Sequence, residues 1–92
     1  MTVAGNTARP VGRPDLRLRR VGSEWVLYDA AQDKAHVLNQ TAAVIWTYCD
    51  GNFERSAIAD AIAREVPGLD STRIKDDIDD VLRRFADEGL LQ

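Results

Sequence analysis

The stretch Lys34–Gly51, "KAHVLNQTAAVIWTYCDG", constrains the fold more than any other. Its first five residues alternate like a strand, and the residues after Asn39 repeat with the period of a helix. Only a Leu38-Asn39 step separates the two patterns, with no Gly or Pro between them. Asn39 is a favourable N-cap, so a helix is predicted from Gln40 to about Cys49. Ala42, Ile45, Trp46 and Cys49 fall at i, i+3, i+4 and i+7 and make its core face. Asp50-Gly51 ends it, with Gly51 able to adopt positive φ. A strand held this tightly against a helix has one edge committed to a neighbour and another whose purpose must be found.

Upstream lie two more strand patterns. "LRLRRV" alternates Leu16 and Leu18 with Arg17 and Arg19. Gly22-Ser23 supplies a turn, and "EWVLYD" (Glu24–Asp29) is rich in aromatic and β-branched residues. Short connections between consecutive strands imply antiparallel pairing in the order 1-2-3, with "KAHVL" (Lys34–Leu38) at the edge. Downstream, Phe53 precedes a second helix from Glu54 to about Glu65, with Ile58, Ala61 and Ile62 inward; Pro67-Gly68 stops it. A third helix runs from near Asp70 or Ser71 to Glu88, marked by Ile74, Ile78, Val81, Leu82 and Phe85. Gly89 is placed as C′, and Leu90-Leu91 folds back on the core. The expected architecture is α+β and winged-helix-like: a three-stranded antiparallel sheet followed by three helices.

Ninety-two residues make one domain with a small core, burying only about 60–65% of the unfolded surface. Residues 1–14 are small and polar, carry Pro10 and Pro14, and read as a disordered tail; residues 15–92 are the domain. The tail has no apolar core of a secretory signal, and no apolar run approaches the ~20 residues of a membrane span. One cysteine excludes an intrachain disulfide and fits a reducing, cytoplasmic setting.

The chemistry-bearing residues are few. His36 is the only histidine and shares a strand face with Lys34 and Leu38; a partly buried ring with a satisfied partner accounts for it. Cys49 sits on an apolar helix face, as a small hydrophobe does. No CxxC, HExxH or Gly-rich phosphate loop occurs, so neither metal, cofactor nor catalytic residue is expected. Asp76, Asp77, Asp79 and Asp80 lack the spacing of a cation loop and read as a solvated face. The winged-helix guess invites a DNA-binding regulator as the alternative function. The third helix argues against it: Arg73, Lys75, Arg83 and Arg84 face seven acids, Asp70, Asp76, Asp77, Asp79, Asp80, Asp87 and Glu88, a net of −3. Arg17, Arg19 and Arg20 on the first strand are the only counterweight.

That leaves the outer edge of "KAHVL". An unpaired edge of small and β-branched residues is a template for another strand, whether a guest peptide, the protein's own tail or a second copy.

Several parts of the chain resemble the PqqD family, the precursor-peptide chaperone domain also called the RiPP recognition element. They are "WVLYD", "HVLNQTAAVIWTYCDG" and the closing "DDIDDVLRRFADEGLL". The combination of Leu38-Asn39, Thr41-Ala42, Ile45-Trp46 and Asp50-Gly51 carries the likeness from about Leu16 to Leu91. The chain departs at the second helix, where Glu54 stands in place of the usual Thr or Ser cap. The resemblance implies a non-catalytic module that binds the leader of a ribosomally made precursor as an added strand. The leader would lie on Lys34, Ala35, His36 and Val37, against a groove wall of Ile74, Asp77, Ile78 and Val81. It further implies a modifying enzyme as partner, commonly a radical-SAM maturase, a cyclase or a protease. No nucleic acid or membrane partner is expected, and a homodimer through the free edge is possible.

Overall fold

The computed structural model describes residues 9–66, 68 and 72–92. Three strands, β1 (Arg17–Val21), β2 (Glu24–Asp29) and β3 (Lys34–Leu38), precede three helices, α1 (Gln40–Thr47), α2 (Arg55–Glu65) and α3 (Ile74–Asp87). The sheet is antiparallel in the order β1-β2-β3, so β3 is an edge strand. The α+β, three-strand, three-helix expectation is met.

Alternation sets the register. Leu18, Leu27 and His36 form one row across the sheet, and Arg20, Trp25 and Leu38 the next. Both rows face the helices, where Leu27 and Leu38 are buried. The β1–β2 turn places Gly22 at φ 63, and the β2–β3 loop turns through Asp33 at φ 53. Tyr28 donates its hydroxyl to Asp33 at 3.0 Å and steadies that loop.

Asn39 caps α1 as anticipated: its Oδ1 accepts from the Ala42 amide at 2.8 Å. The helix closes two residues before Cys49. The Tyr48 and Cys49 amides donate to carbonyls three residues back, Ile45 and Trp46, which tightens the last turn into a 3₁₀ form. The C-terminus of α3 closes with a Schellman motif: Leu90 donates to Phe85 and Gly89 to Ala86, with Gly89 at φ 73. This drives Leu90 into the core beside Phe85, Ile45, Ile58 and Ile62, all fully buried. Trp46 meets Phe85 edge-on at 5.5 Å. The expected helix start at Asp70 or Ser71 lies outside the described residues; α3 is helical from Ile74.

The tail expectation needs correction over residues 9–14; residues 1–8 lie outside the described residues. Gly12 donates to Cys49 at 2.7 Å and Arg13 to Leu90 at 2.9 Å, while Pro10 and Val11 accept from Gly51 and Gln92. The segment is a strap joining the end of α1 to the C-terminus. Its bonds are made by backbone, which is why side-chain composition did not reveal them. Gly12 is required there, because a Cβ would stand 2.5 Å from the Trp46 ring. Arg13 then pairs with Asp29 at 3.0 Å, giving that buried carboxylate (2% exposed) its cation.

Candidate functional site

Which backbone groups of β3 point outward follows from the sheet register. Val21 and Glu24 flank a two-residue turn and exchange hydrogen bonds across it. Bonded and non-bonded pairs alternate along an antiparallel ladder, and the two edges of a strand alternate with them. Val26 and Tyr28 therefore turn their N–H and C=O groups toward β1, and Trp25, Leu27 and Asp29 turn theirs toward β3. Their partners Leu38, His36 and Lys34 are engaged, whereas Val37 and Ala35 point their amides and carbonyls away from the sheet. An independent contact agrees: Arg84 donates an Nη to the Val37 carbonyl at 3.2 Å. Among the described residues no segment pairs with this rim, and the isolated bridges of the strap lie elsewhere.

The wall beside the rim comes from α3. Arg84 reaches Val37, and Glu88 Oε1 lies 3.0 Å from His36 Nδ1. Arg84 Nε also donates to Glu88 Oε2 at 3.1 Å. These contacts turn one helical stripe toward β3. Asp77, Val81, Arg84 and Glu88 fall at i, i+4, i+7 and i+11 and share that stripe. Arg84 meets Val37 and Glu88 meets His36, so α3 runs opposite to β3, and Val81 and Asp77 extend the wall beyond Leu38.

The anticipated site residues therefore divide. Ala35 and Val37 carry the open backbone groups, with side chains on the outer sheet face. Lys34 and His36 turn toward the helices, His36 into the Glu88 contact. Asp77 and Val81 lie half-buried on the wall stripe. Ile74 and Ile78 are buried in the core, Ile78 also bordering a recess of about 260 Å³ with Arg55 and Asp79, between α2 and α3. They back the wall instead of forming its surface. Sequence reasoning missed Arg84 and Glu88. Their i, i+4 spacing was a signal of mutual pairing, but nothing in the sequence orients that pair toward β3.

Two neighbouring surfaces complete the setting. A larger groove of about 700 Å³ opens where β3 ends, between Trp25 and Leu18 of the sheet and Ala43 and Val44 of α1, and it reaches Val37, Leu38 and Asn39. The outer sheet face holds Val21, Tyr28 and Val37, the large apolar side chains that are exposed among the described residues.

The remaining chemistry is spare. Burial pushes the Cys49 thiol up to about 12, and its Sγ donates to the Ile45 carbonyl, so it stays protonated at neutral pH. Among the described residues no three His, Cys, Asp or Glu side chains are grouped to hold a metal, and no helix is long and apolar enough to cross a membrane. The arginines of β1 do not form one basic face. Arg17 and Arg19 lie opposite Tyr28 and Val26, while Arg20 lies opposite Trp25 with its guanidinium 5.7 Å from that ring.

Residues 24–91 match the family model described as Coenzyme PQQ synthesis protein D (PqqD). No curated protein sequence matches. Two solved structures share the fold. "TbiB1 in Complex with the TbiA(beta) Leader Peptide" is 23% identical, with a TM-score of 0.72, over 89% of this chain and 94% of that one. "Lasso peptide synthetase B1 complexed with the leader peptide" is 21% identical, with a TM-score of 0.75, over 92% and 99%. With its family model matched over most of its length, the chain belongs to the PqqD family.

Proposed function

We propose that this PqqD-family chain binds the leader segment of a ribosomally made precursor peptide as a fourth strand on β3 and presents it to a modifying enzyme. The observation that carries the reading is the pair of outward-facing residues Ala35 and Val37, set beside a helical wall. A peptide laid there completes the sheet through backbone bonds and offers alternate side chains to α3. Both similar structures are described as complexes with leader peptides, which supports the same use of this fold.

In this reading Lys34, Ala35, His36 and Val37 form the receiving edge. Asp77 and Val81 read the guest's side chains, with Ile74 and Ile78 holding them in place from the core. The domain performs no chemistry itself; a radical-SAM maturase, cyclase or protease acts on the peptide it holds. No cofactor enters the recognition step.

Amide hydrogen exchange tests this directly. In the free chain the Ala35 and Val37 amides should exchange fast and their neighbours His36 and Leu38 slowly. A synthetic leader segment should protect Ala35 and Val37, and the core segment of the same precursor should not. Leader binding that leaves both amides unprotected would refute edge addition.

A further inference from the structure

We propose that Arg84 sets which guest is accepted, by selecting a peptide with a carboxylate side chain at the position beside the residue that pairs with Val37. The inference rests on reading β3 as the receiving edge and goes beyond it by naming a chemical requirement on the guest.

Arg84 is held in place by its neighbours. Its Nε donates to Glu88 Oε2, and the other oxygen of Glu88 lies against His36. One Nη donates to the Val37 carbonyl, while the other Nη has no partner among the described residues. The side chain is 45% exposed. The guanidinium thus covers one of the rim's acceptors, the point at which a guest N–H must arrive. An arriving strand either displaces that donor or shares the carbonyl's second lone pair with it. In both cases a planar fork with unengaged donors comes to lie against the guest.

The fork favours a carboxylate over a neutral partner, since bidentate charge-assisted bonds are stronger than neutral ones. Strand alternation fixes where the carboxylate must be. The guest residue opposite Val37 points, like Val37, to the outer sheet face. The residues beside it point to the α3 side, where Arg84 waits. The charged groups around that spot are Glu88 at the end of the same helix, already divided between His36 and Arg84, and Lys34 on the same face of β3. Lys34 reinforces the preference for an acid. Farther along the wall Asp77 and Asp80 carry the opposite sign, so an acid placed at that end of the guest meets repulsion.

A random-peptide display library panned on the full chain, on Arg84→Gln and on Arg84→Glu provides the test. Circular dichroism confirms that each variant is folded. Binders lost on Val37→Pro identify edge-dependent peptides. We expect these, from the wild-type chain, to share an Asp or Glu at one fixed position. Changing that acid to its amide should weaken binding to wild type by about tenfold, the lower end for a charge-assisted bond at a half-exposed site. The same change should have no effect on Arg84→Gln, and Arg84→Glu should enrich Lys or Arg at that position. Edge-dependent peptides with no fixed acid, or an acid whose loss costs as much in Arg84→Gln, would overturn the Arg84 assignment alone. Binders indifferent to Val37→Pro would overturn the edge reading, and the Arg84 assignment with it.

Discussion

Replacing Val37 by proline separates the rim's part in the fold from its proposed part in holding a guest. The Val37 N–H faces away from β2, so proline removes no bond from the sheet. An edge strand tolerates proline on its outer side, and the preceding His36 is already extended as proline requires. The lost side chain is 51% exposed and packs little. The fold should lose less than about 1 kcal/mol, a melting shift below about 4–8 °C at this size. The guest loses more. One backbone bond disappears, worth about 0.5–1.5 kcal/mol net, and the guest carbonyl it served is left unsatisfied, at about 1–3 kcal/mol. The combined penalty is about 1.5–4.5 kcal/mol, so Kd should rise by roughly tenfold to a thousandfold. Calorimetric titration with a bound peptide, beside a thermal melt of the same sample, measures both. His36→Pro is the control. The His36 N–H belongs to the ladder with Leu27, so that variant should unfold or melt far lower. If Val37→Pro melts like wild type and binds like wild type, no guest strand bonds to this amide. If it unfolds, the register argument has assigned the wrong edge.

The other predictions concern the wall, the cap and self-association. Asp77→Lys should change which peptides bind, favouring acids over bases at that end of the groove, while the melting temperature moves by less than about 4 °C; unchanged affinities across peptides of both charges would remove Asp77 from the wall. Asn39→Ala deletes the bond to the Ala42 amide and should destabilise the chain by about 1 kcal/mol in urea unfolding, with peptide affinity lowered because β3 loses its anchor at α1. An unchanged midpoint would mean the cap contributes nothing. Light scattering should find a monomer at micromolar concentration, because a rim two residues long gives a second copy little to bond with; a dimer abolished by Val37→Pro would contradict this.

Much of the frame was legible because local rules and tertiary needs agree. The Leu38-Asn39 step, the Gly22 turn and the Gly89 stop are decided by short-range geometry and stand where the residue types put them; α1 instead closes at Thr47, ahead of the expected Asp50-Gly51 stop, although Gly51 does take positive φ. The meander followed from loop length alone. What stayed hidden depends on how distant pieces meet. The strap at residues 9–14 is built from backbone bonds to residues 49–51 and 90–92, and nothing in its own composition advertises them. The roles of Ile74 and Ile78 show a related limit. Hydrophobic period identifies the inward side of α3 but not the stripe beside it, which overlooks β3. That stripe became visible only through the long-range contacts of Arg84 and Glu88.

On the proposed reading, the energy of a bound strand requires side-chain contacts with that stripe as well as backbone pairing. The rim offers two N–H and two C=O groups, so a guest gains about 2–6 kcal/mol from backbone pairing. Micromolar affinity corresponds to about 8 kcal/mol after the rigid-body and ordering costs of association, themselves estimated at about 4–15 kcal/mol. Backbone pairing therefore cannot hold a peptide by itself. It is also blind to sequence, since every residue but proline carries the same groups. The deficit, about 6–21 kcal/mol by these figures, has to come from guest side chains pressed between β3 and α3. The division of labour follows. On the proposed reading, β3 would accept any extended polypeptide, and Val81, Asp77 and Arg84 would discriminate among them. The same arithmetic accounts for an edge left open without making the chain adhesive. A second copy would bring an equally short rim, so edge pairing between copies gains no more from backbone bonds than a guest does.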